Sequence, residues 1–223
     1  MSATAGANAG KAAIFDLDGT LLDSMGVWDW VDAEFLGRRG IAVPDDYMAK
    51  VSAMQFRDIA TYTIARFGLE GDTPEGLMAE WTDLAGERYA TMVEPKAGAL
   101  DYLHELKASG AGLAVATSMM PALRGPALAH AGMAGLFDAV VGVENVAHGK
   151  QEPDIYLEAA RRLGVTPGEC TVFEDLLAGI DAAKRAGMHA WGVQDDSSAH
   201  DWDAICERAD GVLLDFTAAP RAL

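Results

Sequence analysis

The sequence AAIFDLDGT occupies residues 12–20 and sets the pattern that the rest of the chain has to satisfy. Its first four residues form a short apolar run, typical of a buried strand, and Asp16 and Asp18 follow at once. Two carboxylates spaced two residues apart at the end of a strand project from the same side of the sheet. Asp and Gly also favour turns whatever the function, so this stretch alone is equally consistent with a simple turn.

Short apolar runs alternate with helical patterns after about residue 95. The later strands are predicted at 113–116, 139–141, 171–173, 190–193 and 212–214, and the helices between them at 99–109, 154–163, 176–186 and 201–208. Strand–helix alternation of this kind predicts an α/β fold, a Rossmann-like parallel sheet with helices on both faces.

Residues 25–92 interrupt this alternation with helical patterns only. Thr73-Pro74 is a typical helix start. Another helix is indicated by apolar residues at helical spacing, namely Phe56, Ile59, Ala60, Thr63, Ile64 and Phe67. We therefore predict an inserted α-helical domain at 25–92, a core domain formed by 11–24 and 93–223, and a disordered leader at 1–10.

Polar residues occur at three further places in the predicted core, two at strand ends and one in a loop. Thr117-Ser118 end one predicted strand, Lys150 lies in a loop before a helix, and Glu174-Asp175 end another strand. Taken singly, these have ordinary explanations: a strand end, a solvated lysine and a helix N-cap. Because ligands of open α/β sheets bind at the carboxyl ends of the strands, their coincidence at one edge indicates a binding site.

Four motifs in this order carry a family resemblance: Asp-x-Asp-Gly-Thr, Thr-Ser after a strand, Gly-Lys-x-x-Pro-Asp, and Phe-Glu-Asp. The chain resembles the haloacid dehalogenase superfamily from Ala12 to about Phe216, in the branch of β-phosphoglucomutase and related sugar-phosphate phosphatases. Gln151 stands where proline commonly follows the lysine, and Leu176 where serine often follows the acidic pair. Neither departure removes a catalytic group.

The resemblance implies a role for each motif and identifies the helical insertion as a cap domain. Asp16 is expected to be the nucleophile that attacks phosphorus, and Asp18 the general acid and base. The residues expected to bind the substrate phosphate are Thr117, Ser118 and Lys150. The residues expected to hold Mg²⁺ are Asp16, Asp18 through its backbone carbonyl, Glu174 and Asp175.

The expected activity is hydrolysis of a small phosphorylated metabolite, a sugar-phosphate-like monoester, through an aspartyl phosphate. The alternative is a β-phosphoglucomutase-type mutase, and a further one is a non-catalytic phosphate-binding module. Mutases of this branch carry a histidine and a cap arginine where this chain has Trp28 and Phe56, with Arg57 one residue away. These three residues are the candidates for substrate specificity. Thr20 favours hydrolysis, because the mutases carry valine there.

Two other activities of the superfamily fit the motifs less well. Dehalogenases lack an aspartate at the position of Asp18, and phosphonatases carry a small residue there together with a Schiff-base lysine in the cap. Asp18 argues against both, and Lys50 in the insertion keeps the second one open.

Composition narrows the expected partners. The formal net charge is −17, from 17 basic and 34 acidic residues, and would repel a nucleic acid. The sequence contains no run of about 18 apolar residues, so we expect no membrane span. The first residues lack the apolar segment of a secretory signal. We expect a cytoplasmic enzyme acting on a small-molecule phosphate ester. An acidic protein that handles phosphate needs local positive charge, here a metal ion and a lysine.

Overall fold

The structure is a computed structural model that describes residues 6–51, 54 and 56–223. The chain forms two compact units, one made of Met1–Ser24 and Val93–Leu223 and the other of Met25–Met92. Within the described residues, no helix combines the length and the apolar character that crossing a membrane requires.

The first unit, which we call the core unit, contains a six-stranded parallel sheet. Its strands are β1 (Ala12–Phe15), β2 (Gly112–Thr117), β3 (Ala139–Gly142), β4 (Cys170–Glu174), β5 (His189–Val193) and β6 (Gly211–Leu213). Their order is β3-β2-β1-β4-β5-β6, and every neighbouring pair is parallel. The chain therefore winds outward from β1 on one side and from β4 on the other. The direction in which strands are added changes between β1 and β4, and this change opens a crevice at the carboxyl ends of these two strands.

Five helices connect the strands: α5 (Ala99–Ala108), α6 (Pro121–His130), α7 (Asp154–Leu163), α8 (Leu177–Arg185) and α9 (Trp202–Arg208). The α/β fold class is confirmed, and each predicted strand and helix lies within one residue of its predicted ends. Helix α6 escaped prediction because Gly125 and Pro126 normally interrupt a helix. Pro121 at its start is favourable, and burial of Leu123 and Ala127 offsets the internal proline.

Apolar side chains on both faces of the central strands explain why they are buried. On one face the rings of Phe15 and Phe173 stack with centroids 4.8 Å apart, and Tyr102 and Phe216 close this cluster. The opposite face is covered by α7 and α8. Burial on both faces is the usual condition of a parallel sheet, and it holds the carboxyl edge of β1 and β4 rigidly.

The second unit contains the helices α1 (Gly26–Arg38), α2 (Tyr47–Val51), α3 (Phe56–Phe67) and α4 (Pro74–Thr91). Helix α4 packs against both α1 and α3. The predicted start of α4 is confirmed, since Thr73 Oγ1 accepts a hydrogen bond from the Gly76 amide at 3.1 Å. The predicted apolar stripe of α3 is buried or half-buried, whereas Arg57, Asp58 and Thr61 between its members are exposed.

The prediction of a disordered leader at 1–10 is wrong for residues 6–10, which form turns against the core unit. Asn8 is fully buried. Its side-chain nitrogen donates to Ser109 Oγ at 2.8 Å and to the Arg221 carbonyl at 2.9 Å, and its oxygen accepts from the Leu223 amide at 3.0 Å. The small and polar residues of this segment suggested disorder. The prediction failed because Asn8 bonds to residues distant in the chain, which the local sequence does not reveal. Residues 1–5 lie outside the described residues.

Replacing Asn8 with Ala should lower the free energy of unfolding by about 1–3 kcal/mol, because the buried Ser109 and two terminal backbone groups lose their hydrogen bonds. Urea denaturation followed by circular dichroism measures this change. Thr61→Ala, which removes an exposed hydroxyl bonded within its own helix, serves as the control and should change stability by less than about 0.5 kcal/mol. Equal stability of both variants would show that Asn8 does not anchor the N-terminal segment.

Candidate active site

The predicted site residues of the core unit converge on the carboxyl edge of the sheet. Asp16 follows β1 directly, Thr117 is the last residue of β2, and Glu174 ends β4 with Asp175 next in the chain. Since β1 pairs with both β2 and β4, these strand ends are neighbours. Lys150 reaches the same edge from the loop before α7. The structure thus brings together residues that are up to 159 positions apart, from Asp16 to Asp175.

Lys150 forms the cationic centre of the site. Its ammonium group contacts Asp16 Oδ1 and lies 2.9 Å from Glu174 Oε1, and its side chain is only 10% exposed. Although burial alone would lower the pKa of Lys150, Asp16 and Glu174 raise it well above the usual value. Lys150 therefore stays protonated, and it neutralises part of the acidic charge around it.

Glu174 and Asp175 are acids in surroundings that disfavour their charge. Burial is the main reason why the pKa of Glu174 is raised, and Lys150 only partly opposes it. Burial and then the nearby Asp16 raise the pKa of Asp175 to about 7. Thr20 donates a hydrogen bond to Asp175 Oδ1 at 2.9 Å, and the Asp175 amide donates to Glu174 Oε2 at 3.1 Å. These bonds fix the directions of both carboxylates.

The acidic cluster of Asp16, Glu174 and Asp175 fits a metal ion. Each residue offers an oxygen atom, and these atoms lie within 4.8 Å of one another. With all groups charged, three carboxylates face one lysine, which leaves two negative charges in excess. Burial, and to a smaller extent the nearby Asp16, raises the pKa of Glu174 and of Asp175, so the charged forms of these two acids are unfavourable here. A divalent cation would balance the excess charge, and oxygen ligands suit a hard cation.

Asp18 lies in a tight loop, in which the Gly19 amide donates a hydrogen bond to the Leu22 carbonyl at 3.1 Å. Ser24 Oγ donates to Asp18 Oδ1 at 2.6 Å, which holds this half-buried carboxylate. Gly19 follows with φ +76°, and a Cβ there would lie 2.6 Å from Asp175 Oδ2. Only glycine lets this loop approach the acidic cluster so closely.

Thr117 and Ser118 open the loop after β2. Thr117 is buried, and its Oγ1 accepts a hydrogen bond from the Met119 amide at 3.0 Å. Ser118 between them is exposed. Both hydroxyl-bearing residues therefore lie at the same sheet edge as Asp16, within a small closed turn.

Sequence reasoning missed the contributions of Ser24 and Gly179, and it missed the bond that Thr20 makes. Gly179 is buried in α8, where a Cβ would lie 2.1 Å from Glu174 Oε1 and 2.4 Å from its Cγ. A glycine inside a helical pattern is costly and usually has a packing reason, and this signal could have identified Gly179. Ser24 and Thr20 carry no such signal, because serine and threonine are ordinary in turns.

The candidate specificity residues Trp28, Phe56 and Arg57 belong to the second unit. The rings of Trp28 and Phe56 meet edge to face with centroids 5.5 Å apart. Arg57 Nη2 lies 2.5 Å from Glu75 Oε1, and both side chains are 62% exposed. Lys50, the residue that kept a phosphonatase open, is exposed.

The two departures from the family pattern lie beside the acidic cluster. Leu176 precedes α8 with its side chain 45% exposed. The backbone carbonyl of Gln151 accepts a hydrogen bond from Arg185. Neither residue takes a place among the contacts of Asp16, Glu174 and Lys150 described above.

A doubly wound parallel sheet with buried acids and a lysine at its switch point has the architecture in which α/β proteins bind ligands. The sequence profile of haloacid dehalogenase-like hydrolases matches residues 11–187. The chain belongs to this family, which confirms the resemblance seen in its motifs.

Three proteins illustrate the relationship. Validoxylamine A 7'-phosphate phosphatase of Streptomyces hygroscopicus subsp. limoneus is 32% identical over 207 residues, covering 93% of this chain and 94% of that protein. Fructose-1-phosphate phosphatase YqaB of Escherichia coli (strain K12) is 35% identical over 183 residues, covering 81% and 95%. The crystal structure of CbbY from Rhodobacter sphaeroides in complex with phosphate matches with a TM-score of 0.75 and 26% identity, covering 93% of this chain and 95% of that one.

Replacing Gly179 with Ala should weaken binding of a divalent cation by about tenfold, because the new methyl group forces the Glu174 carboxylate to move. Isothermal titration with magnesium chloride measures this affinity. Gly37→Ala is the matched control, since a Cβ at this helical glycine meets nothing within 4 Å. The control should bind the cation as the wild type does. Unchanged affinity in a folded Gly179→Ala protein would contradict the role of this glycine.

Proposed function

We propose that the protein is a Mg²⁺-dependent phosphatase that hydrolyses a small phosphorylated metabolite, a sugar-phosphate-like monoester, through a phosphoaspartate at Asp16. The observation that carries this proposal is the buried Asp16 carboxylate in contact with Lys150, beside two further acids. Relatives that cover most of the chain and are named as phosphatases support it. A cytoplasmic location stays a prediction from composition.

Asp16 attacks phosphorus in the first step. A bond forms between a carboxylate oxygen and phosphorus while the bond from phosphorus to the ester oxygen breaks, and the electron pair leaves with that oxygen. Two anions repel each other, so the step needs positive charge next to the nucleophile. Lys150 supplies it at Asp16 Oδ1, and the phosphoryl oxygens bind to the turn of Thr117 and Ser118.

Asp18 moves the proton in both steps. In its protonated form it donates to the departing ester oxygen, and it then accepts a proton from the water that attacks phosphorus in the phosphoaspartate. This second attack breaks the bond to Asp16, releases inorganic phosphate and restores the free carboxylate. The hydrogen bond from Ser24 holds Asp18 in one orientation for both transfers.

Asp16, Glu174, Asp175 and the backbone carbonyl of Asp18 would hold the Mg²⁺ ion. When bound, the ion supplies positive charge that offsets the charge spreading over the transferred phosphoryl group. The Thr20 hydroxyl holds the Asp175 carboxylate, and the Asp175 amide together with Lys150 holds that of Glu174.

In this proposal the second unit is the cap domain, and its residues Trp28, Phe56 and Arg57 are the candidates that determine substrate specificity. Trp28 and Phe56 offer adjacent aromatic surface, suited to the apolar faces of a sugar ring. Phosphosugar mutase activity is the alternative function. A mutase needs a side chain that binds a second phosphate group. The candidate for this role is Arg57, whose exposed side chain pairs with Glu75.

The nucleophile is tested with Asp16→Asn. Its rate of phosphate release from p-nitrophenyl phosphate should fall below about 1% of wild type, because an amide does not form the phosphoaspartate. The fold should survive, since Lys150 keeps its contact with Glu174 and one of the crowded negative charges is removed. Asp83→Asn, on an exposed position of α4, is the control and should keep wild-type activity. Chelation of Mg²⁺ should abolish the wild-type rate. Activity of several per cent in purified, folded Asp16→Asn would exclude Asp16 as the nucleophile.

Hydrolase and mutase are separated by following both products from one substrate. With β-glucose 1-phosphate and a catalytic amount of glucose 1,6-bisphosphate, we expect release of inorganic phosphate to exceed formation of glucose 6-phosphate. The physical reason is that water is the acceptor when no side chain retains a second phosphate. A coupled dehydrogenase assay measures glucose 6-phosphate, and a colorimetric assay measures phosphate. Mutase turnover well above phosphate release would favour the alternative and make Arg57 the first residue to replace.

A further inference from the structure

Arg124 is a buried charge outside the acidic cluster. It lies in α6 and only 8% of its surface is exposed. Its Nε donates to the Met119 carbonyl at 2.7 Å, and its Nη2 donates to Glu144 Oε2 at 2.7 Å. A buried guanidinium is tolerated only when it is paired in this way, so its position is set by these two partners.

The two partners of Arg124 belong to different loops at the active-site edge. Met119 lies in the loop after β2, and Glu144 lies in the short turn after β3. The strands are in register at Thr117 and Gly142, so both loops leave the sheet at the same level. A Cβ at Gly142 would lie 2.2 Å from both Arg124 Nη2 and Glu144 Oε2. Glycine at this position therefore provides the space that the ion pair occupies.

Met119 is held at both ends of its backbone. Its amide donates to Thr117 Oγ1 at 3.0 Å, and its carbonyl accepts from Arg124. Ser118 lies between Thr117 and Met119 in the chain. The turn of Thr117, Ser118 and Met119 therefore has little freedom to rotate its hydroxyl and amide groups, and Arg124 supplies the anchor that comes from outside the turn.

We propose that Arg124 is a positioning residue that holds the Thr117–Met119 turn in the orientation that binds the phosphate group. This inference rests on the proposed function, which assigns phosphate binding to Thr117 and Ser118. Arg124 acts through the turn, because its surface is buried and its Nε and Nη2 groups are already engaged. Preorganised groups bind an anion more tightly than mobile ones because less entropy is lost on binding.

Glu144 is the acidic partner that pairs with the Arg124 guanidinium. Although partial burial alone would raise the pKa of Glu144, the hydrogen bond from Arg124 lowers it. The side chain of Glu144 is 40% exposed. Removing the charge of Arg124 therefore leaves a carboxylate that water can solvate, and the fold is expected to survive the substitution.

The test compares Arg124→Met with Arg162→Met as matched control. Arg162 also pairs with a glutamate, Glu158, and also donates to a strand carbonyl, that of Val140 at 2.8 Å. Val140 lies within β3, in register with Val115 and not with Thr117. Isothermal titration of inorganic phosphate in the presence of magnesium chloride measures binding, and hydrolysis of p-nitrophenyl phosphate gives kcat and KM. Urea denaturation measures stability.

In Arg124→Met, the phosphate Kd and the KM should both rise about tenfold, as is usual when a group that orients a ligand's contacts is lost, while kcat falls less. In Arg162→Met both should stay within about twofold of wild type, even where the two variants lose similar stability. Glu144→Gln should raise the phosphate Kd in the same direction by a smaller factor. Arg124→Lys should restore part of the affinity, because an ammonium group replaces one of the two donated bonds.

A folded Arg124→Met protein with wild-type phosphate Kd and KM overturns the inference, and so does a loss of kcat with unchanged phosphate binding. Should Arg124→Met fail to fold, wild-type phosphate binding in both Glu144→Gln and Arg124→Lys overturns it equally. If the wild type hydrolyses no ester but binds phosphate tenfold more tightly than Arg124→Met, the proposed function fails and the positioning role stands.

Discussion

The interaction on which this structure depends is the crowding of three carboxylates around one lysine at the carboxyl edge of a buried sheet. Asp16, Glu174 and Asp175 come from two adjacent strands, and Lys150 contacts two of them. Removing such charges from water is unfavourable, as the raised pKa values of Glu174 and Asp175 indicate. The arrangement persists because the sheet holds the backbone and because positive charge is concentrated at the same point.

Several residues serve mainly to make this crowding possible. Gly19 and Gly179 leave the space that the carboxylates of Asp175 and Glu174 occupy. Thr20 and Ser24 each donate one hydrogen bond, to Asp175 and to Asp18. Glycine in a helix and buried charges both reduce stability, so these features are expected where a site needs them and are rare elsewhere.

The net charge of −17 makes the local electrostatics of the site more important. In the proposed function a phosphate ester approaching this protein meets a repulsive field, and Lys150 together with a bound divalent cation would neutralise the acidic cluster over a short distance. Arg124 adds no charge to the proposed phosphate site in this scheme, because Glu144 neutralises it. Its contribution is geometric, through the Met119 carbonyl.

The sequence by itself determined the α/β class, the positions of the six strands and of four of the five core-unit helices to within one residue, and the four motifs that converge at one edge. It could do so because apolar periodicity and the chain order of the motifs are local properties, and because parallel strands place their carboxyl ends together. Helix α6 was missed because Gly125 and Pro126 are local signals that distant packing overrides.

Only the tertiary structure decided which groups meet. Asn8 is bonded to residues more than 100 positions away, and Arg124 joins two loops that no local pattern connects. The fit of Gly179 to Glu174 likewise depends on how α8 packs on β4. Hydrogen bonds and close approaches between distant segments depend on backbone positions in three dimensions, so a residue's type and its neighbours in sequence do not reveal them.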